Sequence, residues 1–304
     1  MMIDLGHIFD ATLLNSTFRF VTPILLAALG GLLCERVGVF NIALEGLMLT
    51  GAFAAVVGSF YTGHAVAGVL MAIVAAGILA VIFAGFAITL RGNVIVLGIA
   101  VNMLASGLTI FLLRTMFGVK GAFRDPHLQG LGKIHLPQIE TIPVLGPLLS
   151  GHSWIIYLSW ILVFGMYLLL FHHALGLRIR GVGEHPEAAE TLGVNVSAMR
   201  YLAVVLSGML CGLAGAQLSL GNVTLFVEDM SAGRGWIAVV AVLFGRAHPI
   251  GVFLASLVFG LADSVGFRLQ GLRMPSQFTG MVPYIVTLIS LVILEARQRR
   301  SCTV

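Results

Sequence analysis

The stretch NVIVLGIAVNMLASGLTIFLLRTMF, residues 93–117, carries a single charge, Arg114. As a helix it is long enough to cross the roughly 30 Å of bilayer hydrocarbon, and it lacks the alternation of a lipid-facing β-strand. Comparable runs fall at about 12–33, 40–60, 64–90, 153–174, 199–221, 249–267 and 277–294, with a shorter one at 235–247. The composition agrees, at 59% hydrophobic and 10% charged, where soluble domains are about 25% charged. The expectation is an all-α membrane protein, a single domain over residues 1–304 built as a polytopic bundle of about 8–10 transmembrane helices.

The short run, WIAVVAVLFG, is too brief to cross the bilayer straight and lies between Gly233-Arg234-Gly235 and Gly245-Arg246. It reads as a half-helix or a re-entrant segment, which needs protein or a water-filled cavity around its backbone. RVGVFNIALEGLMLTG, residues 36–51, shows the same kind of interruption at the head of the second run. Each half of the chain also has a small-residue helix, GLMLTGAFAAVVGS and LSGMLCGLAGAQLSLG, which suggests two related halves. Gly208, Gly212 and Gly215 lie three or four apart, on one helix face that lets a neighbour approach.

The formal charge of +4 comes mostly from arginine. In a membrane protein that excess reports orientation and anionic lipid rather than nucleic acid. With nine crossings and the tail inside, Arg36, Arg91, Arg178, Arg180, Arg200, Arg246, Arg297, Arg299 and Arg300 face the cytoplasm. Lys120, Arg124, Lys133, Arg234, Arg268 and Arg273 then lie outside, three of them in a long loop of about 118–152. The N-terminal MMIDLGHIFDATLLNSTF lacks the basic start of a cleaved signal peptide, and the SCTV ending lacks a prenylation motif. Cys34, Cys211 and Cys302 have neither C-x-x-C nor metal-ligand spacing, so no metal site is expected.

Polar groups within apolar runs should face a cavity or a partner. They are Arg19, Asn41, Glu45, Asn102, Arg114, Gln217, Asp263 and Arg268, with Arg234 beside the short run. Asn41 and Glu45, four apart, share a helix face. Glu45 has two readings, an arginine pair that locks the bundle or a substrate contact. Asn102 and Gln217 suit either ligand hydrogen bonds or interhelical ones, and Phe226 and Trp236 suit stacking on a planar ligand or ordinary packing. No G-x-x-x-x-G-K-[ST], H-E-x-x-H or G-x-S-x-G motif is present, so no catalytic residue is assigned and any ATP hydrolysis falls to another chain.

The segment GVGEHPEAAETLGVN, residues 181–195, gathers Glu184, Glu187 and Glu190, three of the chain's thirteen carboxylates. Pro186 suits a first helical turn, Glu187 and Glu190 its positive end, and Gly193 a left-handed stop. Ala188, Ala189 and Leu192 then form a small apolar face, suited to a groove on another protein or to a plain connector. Asn195 or Ser197 caps the following span.

HPEAAETLGVNV, SGMLCGLAGA and GRGWIAVVAVLFG together resemble the permeases of ATP-binding cassette importers, in the branch for branched-chain amino acids, simple sugars and nucleosides. ERVGVFNIALEGLMLTGAFAA is similar to the nucleoside or simple-sugar subgroup, and the resemblance covers about residues 20–295. It implies that the cytoplasmic loop of about 175–198 carries a coupling helix for the ATPase, through Glu184, Pro186, Glu187, Ala188, Ala189, Leu192 and Gly193. It further implies a second permease chain in a heterodimer, an extracytoplasmic solute-binding protein and a small-molecule substrate. ATP and magnesium would sit on the ATPase rather than this chain, in a bacterial inner membrane. Asn41, Glu45, Asn102, Gln217, Phe226 and Trp236 are the pathway candidates. The competing expectation is an ion-coupled transporter using Asp263 or Glu45 as its proton site.

Overall fold

The computed structural model describes residues 11–134 and 150–270, with Ile285. The run at 277–294 and the basic tail lie outside the described residues. Those residues hold ten helices. They are α1 (Ala11–Arg36), α2 (Leu44–Thr62), α3 (Ala65–Ala84, prolonged by a π-helical turn at Gly85–Thr89), α4 (Val94–Phe117) and α5 (Trp154–His172). After them come α6 (Ala174–Glu184), α7 (Pro186–Thr191), α8 (Val196–Ala216, prolonged by a π-helical turn at Gln217–Val223), α9 (Arg234–Phe244) and α10 (Pro249–Gln270). Among the described residues seven stretches are long and apolar enough to span a membrane, and α9 is the shorter apolar helix that the sequence anticipated.

Contacts divide the chain into two units, one of residues 22–134 and 152–256 and one of residues 1–21, 135–151 and 257–304. In the described part of the smaller unit, Phe20 and Phe267 pack with ring centroids 5.4 Å apart. There Arg268 Nη2 donates to Ser16 Oγ at 3.5 Å.

The larger unit is built around α2, α3 and α8. Lipid tails are as apolar as leucine, so helix association in a membrane depends on close packing rather than on water exclusion. Small residues supply that fit. A Cβ on Gly51 of α2 would stand 2.6 Å from the Gly212 Cα of α8, closer than real side chains come. Gly208 meets Ala76 and Ala80 of α3, and Gly215 meets the backbone of Met48 and Ala52 in α2.

Short antiparallel strands close one end of this unit. β1 (Ala122–Phe123) pairs with β4 (Phe226–Val227), and β2 (Lys133–Ile134) with β3 (His152–Ser153). The other end gathers residues that the charge count put in the cytoplasm. Arg36 Nε donates to the Ala247 carbonyl at 2.7 Å and Arg200 Nε to the Val37 carbonyl at 3.4 Å, while Gly183 lies against the Arg36 carbonyl.

Between these ends the backbone is broken twice at the same level. After Arg36 the chain is not helical again until Leu44, and Asn41 Nδ2 there donates to Ser207 Oγ, near the middle of the span Val196–Val223, at 3.2 Å. So α2 starts level with the middle of a membrane-length span, not with its end. The helix α9 starts at that level too, because Glu45 Oε1 accepts the Gly233 N–H at 2.8 Å and Oε2 the Gly235 N–H at 2.6 Å. Gly235 permits the approach; a Cβ there would be 2.5 Å from the Glu45 Cα. Two helix N-termini, each worth about half a positive charge, converge on one carboxylate.

Two predictions follow from this geometry. Replacing Gly212 with leucine should prevent assembly of the α2–α3–α8 centre, seen as loss of membrane-inserted, detergent-extractable protein, because overfilling even a forgiving core costs about 1–3 kcal/mol and here the obstacle is backbone. Glu45→Ala strips two peptide N–H groups of their acceptor, at about 1–3 kcal/mol each, and should lower the melting temperature of the purified protein markedly. Glu45→Gln, which keeps one acceptor oxygen, should fall between Glu45→Ala and the wild type.

Candidate functional site

Two groups of candidate residues lie in the larger unit, one at its basic end and one at the level where α2 and α9 begin. The first is the acidic segment. Pro186 occupies the first turn of α7, and Gly193, at φ +78°, closes it. The Gly193 N–H donates to the Glu190 carbonyl at 2.9 Å and the Val194 N–H to the Ala189 carbonyl at 3.0 Å, a left-handed stop that satisfies the last carbonyls of the turn. Asn195 then caps α8 by accepting the Ala198 N–H at 2.9 Å. An extra helix, α6, runs into this segment and ends at Glu184, a feature that its Gly-rich sequence LRIRGVGE did not announce.

The faces of α7 differ. Ala189 is buried against the protein, whereas Glu184, Glu187, Ala188 and Glu190 are exposed and Leu192 is 83% exposed. The apolar face turned outward is therefore Ala188 with Leu192, and Ala189 anchors the helix from behind. Beside it opens a recess of about 1100 Å³, with Glu187 and Glu190 on one wall and Arg91, Arg200 and Thr89 among its other lining residues. Thr89 and Tyr201 share a hydrogen bond of 2.5 Å that joins the π-helical turn after α3 to α8.

The second group surrounds the broken helices. Asn102 of α4 accepts the Gly46 N–H at 2.8 Å through Oδ1 and donates to the Ile42 carbonyl at 3.0 Å through Nδ2, serving both sides of the α2 start. Asn41 Oδ1 accepts the Ala43 N–H at 2.9 Å. Both asparagines thus bond the irregular backbone, and Glu45 bonds peptide N–H groups where an arginine partner was one of the two expectations. Gln217 is fully buried, accepting from Ser153 Oγ at 2.7 Å and donating to Asn222 Oδ1 at 3.1 Å, which ties β3 to the π-helical turn. Phe226 is fully buried edge-on against Phe53, with centroids 5.2 Å apart. Of the six pathway candidates, Trp236 alone is strongly exposed, at 43%. Asp263, in the smaller unit, has an interaction partner of its own.

The structure adds residues that sequence reasoning passed over. Ser106 Oγ donates to Asp229 Oδ1 at 2.6 Å, and Arg114 pairs with Glu228 at 3.5 Å. Arg114 stood out as a charge within a run, but its acid lies in the loop before α9, where nothing in the sequence set Glu228 and Asp229 apart from ordinary loop acids.

The family described as "Branched-chain amino acid transport system / permease component" matches residues 13–291. The guanosine ABC transporter permease NupQ of Bacillus subtilis is 39% identical over 91% of this chain and 89% of its own. The nucleoside permease NupC of Lactococcus lactis is 35% identical over 90% and 88%, and TsgC13 of Haloferax volcanii, assigned to glucose transport, is 36% identical over 88% and 80%. Among solved structures, an inward-facing ABC transporter assigned to the metal-chelate type superposes with a TM-score of 0.53 and 17% identity, over 96% of this chain and 90% of that one, a likeness of fold. With the family matched across nearly the whole chain and a bundle of membrane-length helices around two broken ones, the protein belongs to the branched-chain amino acid transport system permeases, as a multi-pass transport subunit and not an enzyme.

Proposed function

We propose that this chain carries a nucleoside through the membrane as the permease of an ATP-binding cassette importer. A solute-binding protein delivers the solute, a second permease chain completes the pathway as a heterodimer, and ATPase subunits that hold ATP and magnesium drive the cycle. The observation that carries the energy-coupling part is α7 itself, a capped helix with Leu192 83% exposed at its end and Ala188 beside it. An apolar side chain held out on a rigid short helix fits a pocket on a partner, as interface anchors do. The recess beside it, whose lining includes Arg91, Arg200, Glu187 and Glu190, adds charges of both signs.

Coupling has a physical route inward. Gly183, next to Glu184, lies against the Arg36 carbonyl, and Arg36 holds the Ala247 carbonyl just beyond α9. A push on α7 therefore reaches the segment that leads to the α2 start and the far end of α9. For Glu45 the ion-coupled alternative loses support, because both of its oxygens hold the peptide N–H groups that start α9, which gives the carboxylate a structural task. Nucleosides are preferred as the solute on the likeness to NupQ and NupC; the likeness to TsgC13 keeps a sugar as the second reading.

Glu187→Arg combined with Leu192→Asp should abolish uptake of labelled guanosine while the chain still reaches the membrane in normal amount, since both side chains are exposed and support no internal contact of the core. Full uptake by this double variant would overturn the assignment of α7 as the ATPase contact. Unlabelled glucose outcompeting unlabelled guanosine in the same assay would transfer the substrate to the sugar reading.

A further inference from the structure

An exposed carboxylate stands part-way along a membrane-length span. Ser106 is close to the midpoint of the 24-residue helix α4, and Asp229 is bonded to it at 2.6 Å. Asp229 is exposed, and its second oxygen accepts no bond among the described residues. Its neighbour Glu228 differs, being paired with Arg114 and accepting the Gly121 N–H at 3.1 Å. On the same stretch of surface Met103 is 72% exposed and Gly107 has open space around it.

A charged aspartate at such a depth is expensive against lipid, so a surface that displays one faces water or protein. The adjoining helix α9 has a matching asymmetry. Gly235, Ile237, Ala238, Ala241 and Val242 are buried, while Trp236, and Leu243 two turns on, are exposed. One side of α9 thus packs and the other is exposed, with Trp236 seven residues beyond Asp229 in the chain.

We propose that Ser106, Asp229 and Trp236 form a solute-recognition subsite on the wall of the translocation pathway, specific for a neutral, polyhydroxylated ring such as ribose or a hexose. This rests on the transport reading above. An ionised carboxylate only accepts hydrogen bonds, so with Ser106 holding one oxygen the other is matched to hydroxyl donors of the solute. The Trp236 indole offers a flat apolar face for the ring or an attached base. The same charge repels phosphorylated solutes, which makes the subsite a filter against nucleotides and sugar phosphates.

The test uses the complete transporter in proteoliposomes, with the ATPase, the partner permease and the binding protein. With Cys302→Ser as background, where Cys34 and Cys211 are buried, Asp229→Cys should react with a charged, water-soluble thiosulfonate, and a purine ribonucleoside should slow that reaction. Val74→Cys, on the exposed apolar face of α3, is the control and should react far more slowly. Asp229→Asn should raise the KM for the ribonucleoside roughly tenfold or more while changing that for its 2′,3′-dideoxy analogue by less than about twofold, since a hydrogen bond to a charged group is then lost only where the hydroxyls exist.

An unreactive Asp229→Cys in a transporter whose wild type is active would mean that protein covers this face, and the proposal fails. Equal effects of Asp229→Asn on the two solutes would also overturn it, leaving a wetted surface without recognition. Failure of Asp229→Asn to reach the membrane would make the residue a support of the fold, again against the proposal. If the wild type moved neither nucleoside nor sugar, the transport reading itself would fall, and that outcome is distinct from the other three.

Discussion

Inside hydrocarbon a peptide group has no water to bond, so each break in a helix must be repaired by the protein itself. This chain breaks its backbone between Arg36 and Leu44 and again ahead of Arg234, and a carboxylate on the helix that follows the first break closes the second. Glu45 stands in the first turn of α2 and accepts the Gly233 and Gly235 N–H groups at the start of α9, so its charge lies where two positive helix ends meet. The two asparagines complete the repair, Asn102 by bonding Gly46 and Ile42, and Asn41 by bonding Ala43 and Ser207. Without these side chains the irregular segment would have to become helix or leave the membrane.

That repair explains why a permease tolerates half-helices at all. The helix α9 covers only part of a bilayer, yet it is held at its start by Glu45 and just past its end by the Arg36 bond to Ala247. A segment fixed at two points by hydrogen bonds, and free of a continuous helix above it, can be displaced without unravelling a full span. The α1–α2 connection bears on both points and also touches Gly183, next to the α7 segment. On the proposed role of α7, energy delivered at the basic end of the larger unit has a short covalent and hydrogen-bonded path to the level where α2 and α9 begin.

Much of the fold was legible because its signals are local. Run length gave the spans, the Gly-Arg-Gly and Gly-Arg brackets marked α9 as short, and RVGVFNIALEG marked the break before α2. Pro186, Gly193 and Asn195 specified α7 and the α8 cap, since capping chemistry depends on residues a few positions apart. The partners of polar residues were not legible. Whether Glu45 meets an arginine or a peptide N–H depends on which segment lies across from it, and Gly233 is far away in the chain. Asp229 was missed for the same reason, as its loop acquires meaning only when β4 pairs with β1 and lays the next residues along α4. Ala189 shows the limit on a finer scale, because helical spacing grouped it with Leu192 while the body of the protein claimed it.

The arrangement of both broken helices rests on the Glu45 carboxylate closing the start of α9. Amide hydrogen exchange over residues 233–237, measured in wild type and in Glu45→Ala, tests it directly. Exchange should be slow in the wild type, with protection lost at Gly233 and Gly235 in the variant and α3 unchanged. Equal protection in both proteins would show that those amides have another acceptor and would contradict it.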